Sequence, residues 1–249
     1  MKRGAYLFVT AVLVAGCGNA FESSTTTSGG SGGASSGSGG ANPGGGGSSS
    51  GTGGGSGEPC AVSNSINNLV DDFDGDTLSS QWVILGVELG LSVFDSILHL
   101  SPAEGAVGVI SADAYDLTNC EIVIEITHLP NHSGSAVEAS FALKGPEPGD
   151  LMKIYVRNGT VSALVRVAGE EIESALILFE ESDNLFWRFS DRDGRTWLEF
   201  AGDDGEFDPL MDVATPAFAT SVKVELATGG PNAVPSPGIF GIEDVNVHE

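Results

Sequence analysis

The chain has 249 residues, with 34 acidic side chains against 10 basic ones, a net charge of −24, 36 glycines and 3 cysteines. So negative a balance argues against nucleic acid and anionic lipid as partners, since both are polyanions. Helical periodicity is absent, and no second apolar segment long enough to cross a membrane follows the first.

Residues 1–17, MKRGAYLFVTAVLVAGC, place Lys2 and Arg3 before an apolar run that ends in small residues. This is the layout of an export signal, and the run is shorter than the about 20 apolar residues that span a bilayer. The ending Val14-Ala15-Gly16-Cys17 resembles the bacterial lipobox. That resemblance implies removal of 1–16 as a lipoprotein signal peptide, diacylglycerol on the Cys17 thiol, and an acyl group such as palmitate on the new amino terminus. An ordinary signal peptide cut nearby is the alternative. Several acyl chains, each stabilised by about 0.8 kcal/mol per buried methylene, make a stable anchor where one does not. The expected location is the bacterial cell envelope, at the outer membrane or cell surface, with the lipid as the only membrane contact.

From 23 to 57 the chain is almost only Ser, Thr, Gly and Ala, interrupted by Asn42-Pro43. Nothing here buries enough apolar surface to offset the entropy of ordering, so 17–57 reads as a lipidated cysteine followed by a disordered Gly/Ser linker. Such a tether reaches on the order of 30–35 Å root-mean-square. The glycines are not a phosphate loop, because no Lys-Ser/Thr follows and no strand precedes them.

The remainder, 58–249, keeps 8 basic and 33 acidic residues once Lys2, Arg3 and Glu22 are set aside, a net of −25. Its length suits one all-β domain. The stretch 69–82, LVDDFDGDTLSSQW, reads as an opening strand carrying a Phe-Asp-Gly turn and a Trp. Next, 91–100 reads as a hairpin turning at Asp95-Ser96. Strands are expected near 107–111, 120–127, 137–144, 152–157, 161–167, 172–179, 222–227 and 239–247, with a three-strand meander over 185–210. In that meander 185–190 alternates Leu185, Trp187 and Phe189 with Phe186, Arg188 and Ser190, which sets the first three toward the core. Turns follow at Asp191-Arg192-Asp193-Gly194 and at Gly202-Asp203-Asp204-Gly205. Many short strands between Gly, Pro and Asn turns make an antiparallel β-sandwich.

The aromatic-Arg strand, the Gly turn, the strand bearing Glu199 and the Asp204-Gly205 turn before Phe207 resemble a signature of concanavalin A-like lectin/glucanase jelly rolls. The Phe73-Asp74-Gly75 turn leading to Trp82 is similar to the opening of the same domains. The resemblance covers nearly all of 66–249 and implies a jelly-roll fold, with carbohydrate binding or glycan cleavage as the expected activities.

Asn158-Gly159 fixes one register: Val156 pairs with Val161, Ile154 with Ala163 and Met152 with Val165, all on one face. The opposite face carries Lys153, Tyr155, Arg157, Ser162, Leu164 and Arg166. Lys153, Tyr155, Arg157 and Arg166 are therefore candidate carbohydrate-binding residues, since sugars stack on aromatic rings and accept hydrogen bonds from Lys and Arg. The competing reading has these bases only relieving repulsion among nearby carboxylates.

Glu121 and Glu125 share a face of the 120–127 strand. The pattern is similar to the catalytic Glu-x-Asp-x-Glu strand of glycoside hydrolase family 16, which makes the two residues candidate laminarinase-type catalysts. Val123 stands where the assisting Asp belongs. About 13 Å of strand also separates their backbones, whereas a retaining pair needs carboxyls about 5–5.5 Å apart. Asp72, Asp74 and Asp76 begin like a calcium loop, but an EF-hand wants Gly and Glu where Thr77 and Val83 stand. Jelly rolls that this chain resembles hold a structural calcium near their termini, so Asp74, Asp76 and Asp244 are candidate ligands; no other cofactor is expected. His99, His128, His132 and His248 share no spacing. Cys60 and Cys120 form a disulfide in an oxidising compartment, or remain free thiols. Three functions stay open: a binding module for carbohydrate or a cell-surface partner, a glycan-cleaving enzyme, and a structural module.

Overall fold

Period-two alternation and tight turns build this domain strand by strand. The computed structural model describes residues 60, 63–86, 90–102, 106–130, 137–178, 186–202, 204–230 and 237–247. The leader, Cys17, the 23–57 tether, His132, Phe179, Leu185, Asp203 and His248 lie outside them. The strands are β1 (Trp82–Gly86), β2 (Leu91–Phe94), β3 (Ile97–Leu100), β4 (Val107–Ser111), β5 (Glu121–His128), β6 (Glu138–Lys144) and β7 (Leu151–Arg157). They continue with β8 (Thr160–Val167), β9 (Glu170–Leu178), β10 (Phe186–Arg192), β11 (Arg195–Ala201), β12 (Asp208–Ala214), β13 (Lys223–Gly229) and β14 (Phe240–Val245). They form two seven-stranded antiparallel sheets: sheet I in the order β1-β4-β13-β6-β7-β8-β9, sheet II in the order β12-β11-β10-β5-β14-β3-β2. The only helices among the described residues that join them are short 3-10 turns such as Ile66–Asn68 and Ala217–Thr220.

Among the described residues, four hairpins close through two residues that both have positive φ, the turn whose twist matches that of its strands. They are Asp95-Ser96, Asn158-Gly159, Ala168-Gly169 and Asp193-Gly194. The Asn158-Gly159 register is the expected one, with Val156 opposite Val161, Ile154 opposite Ala163 and Met152 opposite Val165. The turn expected over 191–194 tightens to its last two residues. Asp191 stays in β10 because its buried carboxylate accepts from the Asn119 amide at 2.8 Å and from the Thr215 hydroxyl. Ala168 was not expected in a turn; its amide donates to the Asp150 carboxylate at 2.7 Å, which holds it there.

The core lies between the sheets. Ile122 and Ile124 of β5, Trp187 and Phe189 of β10, and Phe141, Ile154 and Val156 of sheet I are wholly buried. Phe141 meets Phe189 edge-on with centroids 4.8 Å apart, a favoured aromatic geometry. Arg188 points the other way, as alternation requires.

The opening strand expected over 69–82 is not one. Only Asp71 bridges to Val245, and strand pairing begins at Trp82. The Asp71 carboxylate instead accepts from the Phe73 amide at 3.0 Å, the Ser79 hydroxyl at 2.7 Å and the Trp82 indole at 2.8 Å. That pulls the chain into a loop with Phe73 buried at φ +48°. Asn246 fastens the same region to the C-terminal end: its side-chain amide donates to the carbonyls of Ile66 and Leu69 and accepts from the Val123 amide. Cys60 and Cys120 are joined as a disulfide, with Cα atoms 5.2 Å apart.

Candidate functional site

Because Phe141, Leu143, Ile154 and Val156 point inward, the intervening residues of sheet I point out. The registers line these up in rows that run across the sheet. One row holds Leu176, Ser162, Tyr155, Ser140, Ala227 and Gly108; the next holds Ser174, Leu164, Lys153, Ala142, Glu225 and Ile110. The middle of this outer face is a floor of small side chains, and Ser140, Ala142 and Ser162 on it are buried. Tyr155 and Lys153 stand among them, both part-exposed.

Lys153 and Tyr155 do come together here. The ammonium lies 4.2 Å from the centre of the Tyr155 ring, over one face, and pairs with Glu138 at 2.9 Å. Arg166 sits 3.9 Å from Glu171 in an exposed pair, which contributes about 0–1 kcal/mol. Arg157, one residue beyond the Val156–Ala139 pair, makes no ion pair among the described residues, and its Nε is enclosed without a hydrogen-bond partner. Relief of repulsion thus accounts for Lys153 and Arg166, but not for Arg157. Glu138, Ser140 and Ala142 were not singled out from the sequence. Their signal was present in 137–144, where small or charged residues alternate with Ala139, Phe141 and Leu143.

The outer face of sheet II carries a denser polar network. Glu199, only 2% exposed, accepts from Arg188 Nε at 2.8 Å, the Ser190 hydroxyl at 2.9 Å and Arg192 at 2.9 Å. Burial pushes its pKa up, but hydrogen bonds from Arg188, Ser190 and Arg192 and the Arg188 charge outweigh this and hold it below the ordinary Glu value. Arg188 also reaches Glu121 at 3.3 Å and stacks over Phe207, 3.7 Å from its ring centre. Arg192 lies over Trp197 at 4.5 Å. Glu121 is thus engaged as an ion-pair partner, and Glu125 lies across from Phe186 and Asp244.

No protein-family model matches the chain, and no curated protein sequence matches it. Solved structures do. A prokaryotic β-1,3-1,4-glucanase (lichenase) derived from a mouse hindgut metagenome superposes with a TM-score of 0.53 at 11% identity, over 71% of this chain and 96% of that one. SCLam, a non-specific endo-β-1,3(4)-glucanase from family GH16, gives 0.54 at 10% identity, over 76% and 92%. A legume lectin-like domain from Entamoeba histolytica gives 0.51 at 9% identity, over 66% and 88%. The domain shares the two-sheet β-sandwich fold of these glucanases and this lectin-like domain. The residues through which the sequence resembles that fold, Arg188, Glu199 and Phe207, are one connected brace in this jelly roll.

Two sets of candidates remain. Asp74 and Asp76 are exposed in the loop after Asp71, and Asp244 lies on β14. Among the described residues no group of three or more His, Cys, Asp or Glu side chains is placed to hold a metal ion. The jelly roll brings His99 and His128 together despite their lack of shared spacing, with ring centroids 6.4 Å apart. Phe94 stacks flat on His99 at 3.9 Å. Burial lowers the His99 pKa, the Phe94 backbone raises it, and His128 lowers it further.

Proposed function

We propose that this is a lipid-anchored envelope protein whose jelly roll binds carbohydrate on the outer face of sheet I. The observation that carries this reading is the floor of small side chains at Ser140, Ala142, Ser162 and Ala227, with Tyr155 and the Lys153–Glu138 pair standing on it. Flat sugar rings need space above the sheet, an aromatic surface and polar groups that fix their hydroxyls. The small side chains supply the space, Lys153 and Glu138 the polar groups, and Tyr155 the ring, one face of which lies under the Lys153 ammonium. Similar solved structures include β-glucanases and a lectin-like domain, which makes glycans the first ligands to test. Lipidation at Cys17 and the 23–57 tether would hold that face away from the membrane.

A glycan array probed with the purified chain tests the binding reading, with Tyr155→Ala as its comparison. Binding is expected to weaken when the ring is removed; binding that survives moves the site elsewhere. A hydrolase reading would place its carboxylates at Glu121 and Glu125. Against it, Arg188 occupies Glu121 and Val123 separates the pair. Reducing-sugar release from a β-glucan would overturn the binding-only reading.

A further inference from the structure

The two outer faces of the sandwich differ in charge. Five of the eight basic residues in 58–249 project outward from strands of sheet I: Lys144, Lys153, Arg157, Arg166 and Lys223. The acids on those strands and on β9 are Glu138, Glu170, Glu171, Glu173 and Glu225, so this sheet is balanced within a strongly negative domain. Sheet II is net negative, with Arg188, Arg192 and Arg195 among Glu121, Glu125, Glu199, Asp212 and Asp244.

Three of the five bases are paired: Lys144 with Glu225, Lys153 with Glu138 and Arg166 with Glu171. The other two have no carboxylate among the described residues. Lys223 donates to the Ala112 carbonyl at 2.8 Å, a neutral partner. Arg157 has its Nε enclosed with no acceptor. A guanidinium is always charged and presents a fork of donors suited to carboxylate or sulfate oxygens. The net charge of the chain repels anions at a distance, but the Debye length is about 8 Å at physiological ionic strength. Contacts made on this face therefore answer to its own groups.

We propose that the glycan bound on sheet I is anionic, with a carboxylate or sulfate group taken by Arg157 and a second one by Lys223. The inference rests on the carbohydrate-binding reading of the same face. Arg157 follows Val156, which lies across from Ala139, and so stands at the Glu138 end of β6, while Lys223 lies across from Lys144 at the other end. These positions are six residues apart along β6, or about 20 Å. The ligand is accordingly an oligosaccharide running along the strands rather than a single sugar.

The full chain is titrated by calorimetry, at about 0.15 M salt, against polygalacturonate, its methyl ester, dextran sulfate and the neutral glucan laminarin. The methyl ester keeps the sugar and removes the charge. An acidic polymer is expected to bind about tenfold more tightly than the ester and laminarin, and Arg157→Gln to lose about tenfold of that affinity. Arg195→Gln, on the other sheet, should lose none. Preference between polygalacturonate and dextran sulfate identifies the acidic group. Laminarin or the ester binding as tightly as the acids overturns the anionic inference and leaves carbohydrate binding standing. No binding to any of the four, with a blank glycan array, removes both. Unchanged affinity in Arg157→Gln overturns the assignment to this face. Thermal melts separate lost binding from lost fold, and Lys223→Gln repeats the test if Arg157→Gln does not fold.

Discussion

Arg188 donates from Nε to Glu199 at 2.8 Å while its guanidinium lies 3.7 Å from the centre of the Phe207 ring. One side chain thus joins β10, β11 and the segment ahead of β12. Glu199 is 2% exposed, and among the described residues its carboxylate accepts from side chains of β10. Removing the carboxylate weakens the hydrogen bonds from Arg188, Ser190 and Arg192 but leaves Arg188 paired with Glu121, a loss of about 1–3 kcal/mol. Glu199→Gln is expected to fall in that range at neutral pH, measured by urea unfolding.

The same carboxyl sets a pH dependence. Its folded pKa lies below its unfolded one, so its contribution is complete above the unfolded value of about 4.3 and is lost as pH falls through the folded value. The stability gap between the parent and Glu199→Gln should therefore be constant from neutral pH down to about 5 and shrink below about 4.3. Melting temperatures of both proteins across that range check the sign; a gap that widens on acidification contradicts it.

Trp187 is wholly buried and touches Phe240, with ring centroids 6.1 Å apart. Its indole N–H has no acceptor among the described residues, so phenylalanine loses volume but no hydrogen bond. Trp187→Ala should cost about 3–5 kcal/mol, and Trp187→Phe clearly less. Denaturant midpoints of the two variants rank them.

The Cys60–Cys120 disulfide spans a sequence separation of 60 residues. Reduction is expected to lower stability by about 2–4 kcal/mol. Thiol titration of the denatured, unreduced protein should find neither of these cysteines, and a melt with reductant should shift downward.

Asp71 collects an amide, a hydroxyl and an indole N–H. Asp71→Ala leaves the buried Trp82 N–H without its partner, a loss of about 1–3 kcal/mol. Trp82 fluorescence should also shift as its surroundings loosen.

Most of the strand pattern was legible because its causes are local. Ile122, Ile124 and Ile126 alternate with Glu121, Val123 and Glu125, and Asn158-Gly159 carries its own turn geometry. The loop after Leu69 was not legible, because Asp71 is fixed by Ser79, Trp82 and Val245, and alternation says nothing about such partners. Part of the candidate site was hidden for the same reason. Parity placed Lys153, Tyr155 and Arg157 on one face, but Glu138 reaches Lys153 only through the pairing of β6 with β7. The Arg188 signature was visible as a pattern, while its role as a brace required Glu199 and Phe207 in space.

The sulfur bridge also sets how force enters the fold. Tension arriving from the amino-terminal side reaches Cys60 and crosses covalently to Cys120, directly ahead of β5. β5 is the middle strand of sheet II, gripped by β10 on one side and β14 on the other. The stretch between the two cysteines, with β1 to β4, is short-circuited and bears no load while the bridge is intact. A domain pulled from its amino-terminal side would thus be loaded first on β5, and its outermost strands β1 and β2 would not be the first to peel.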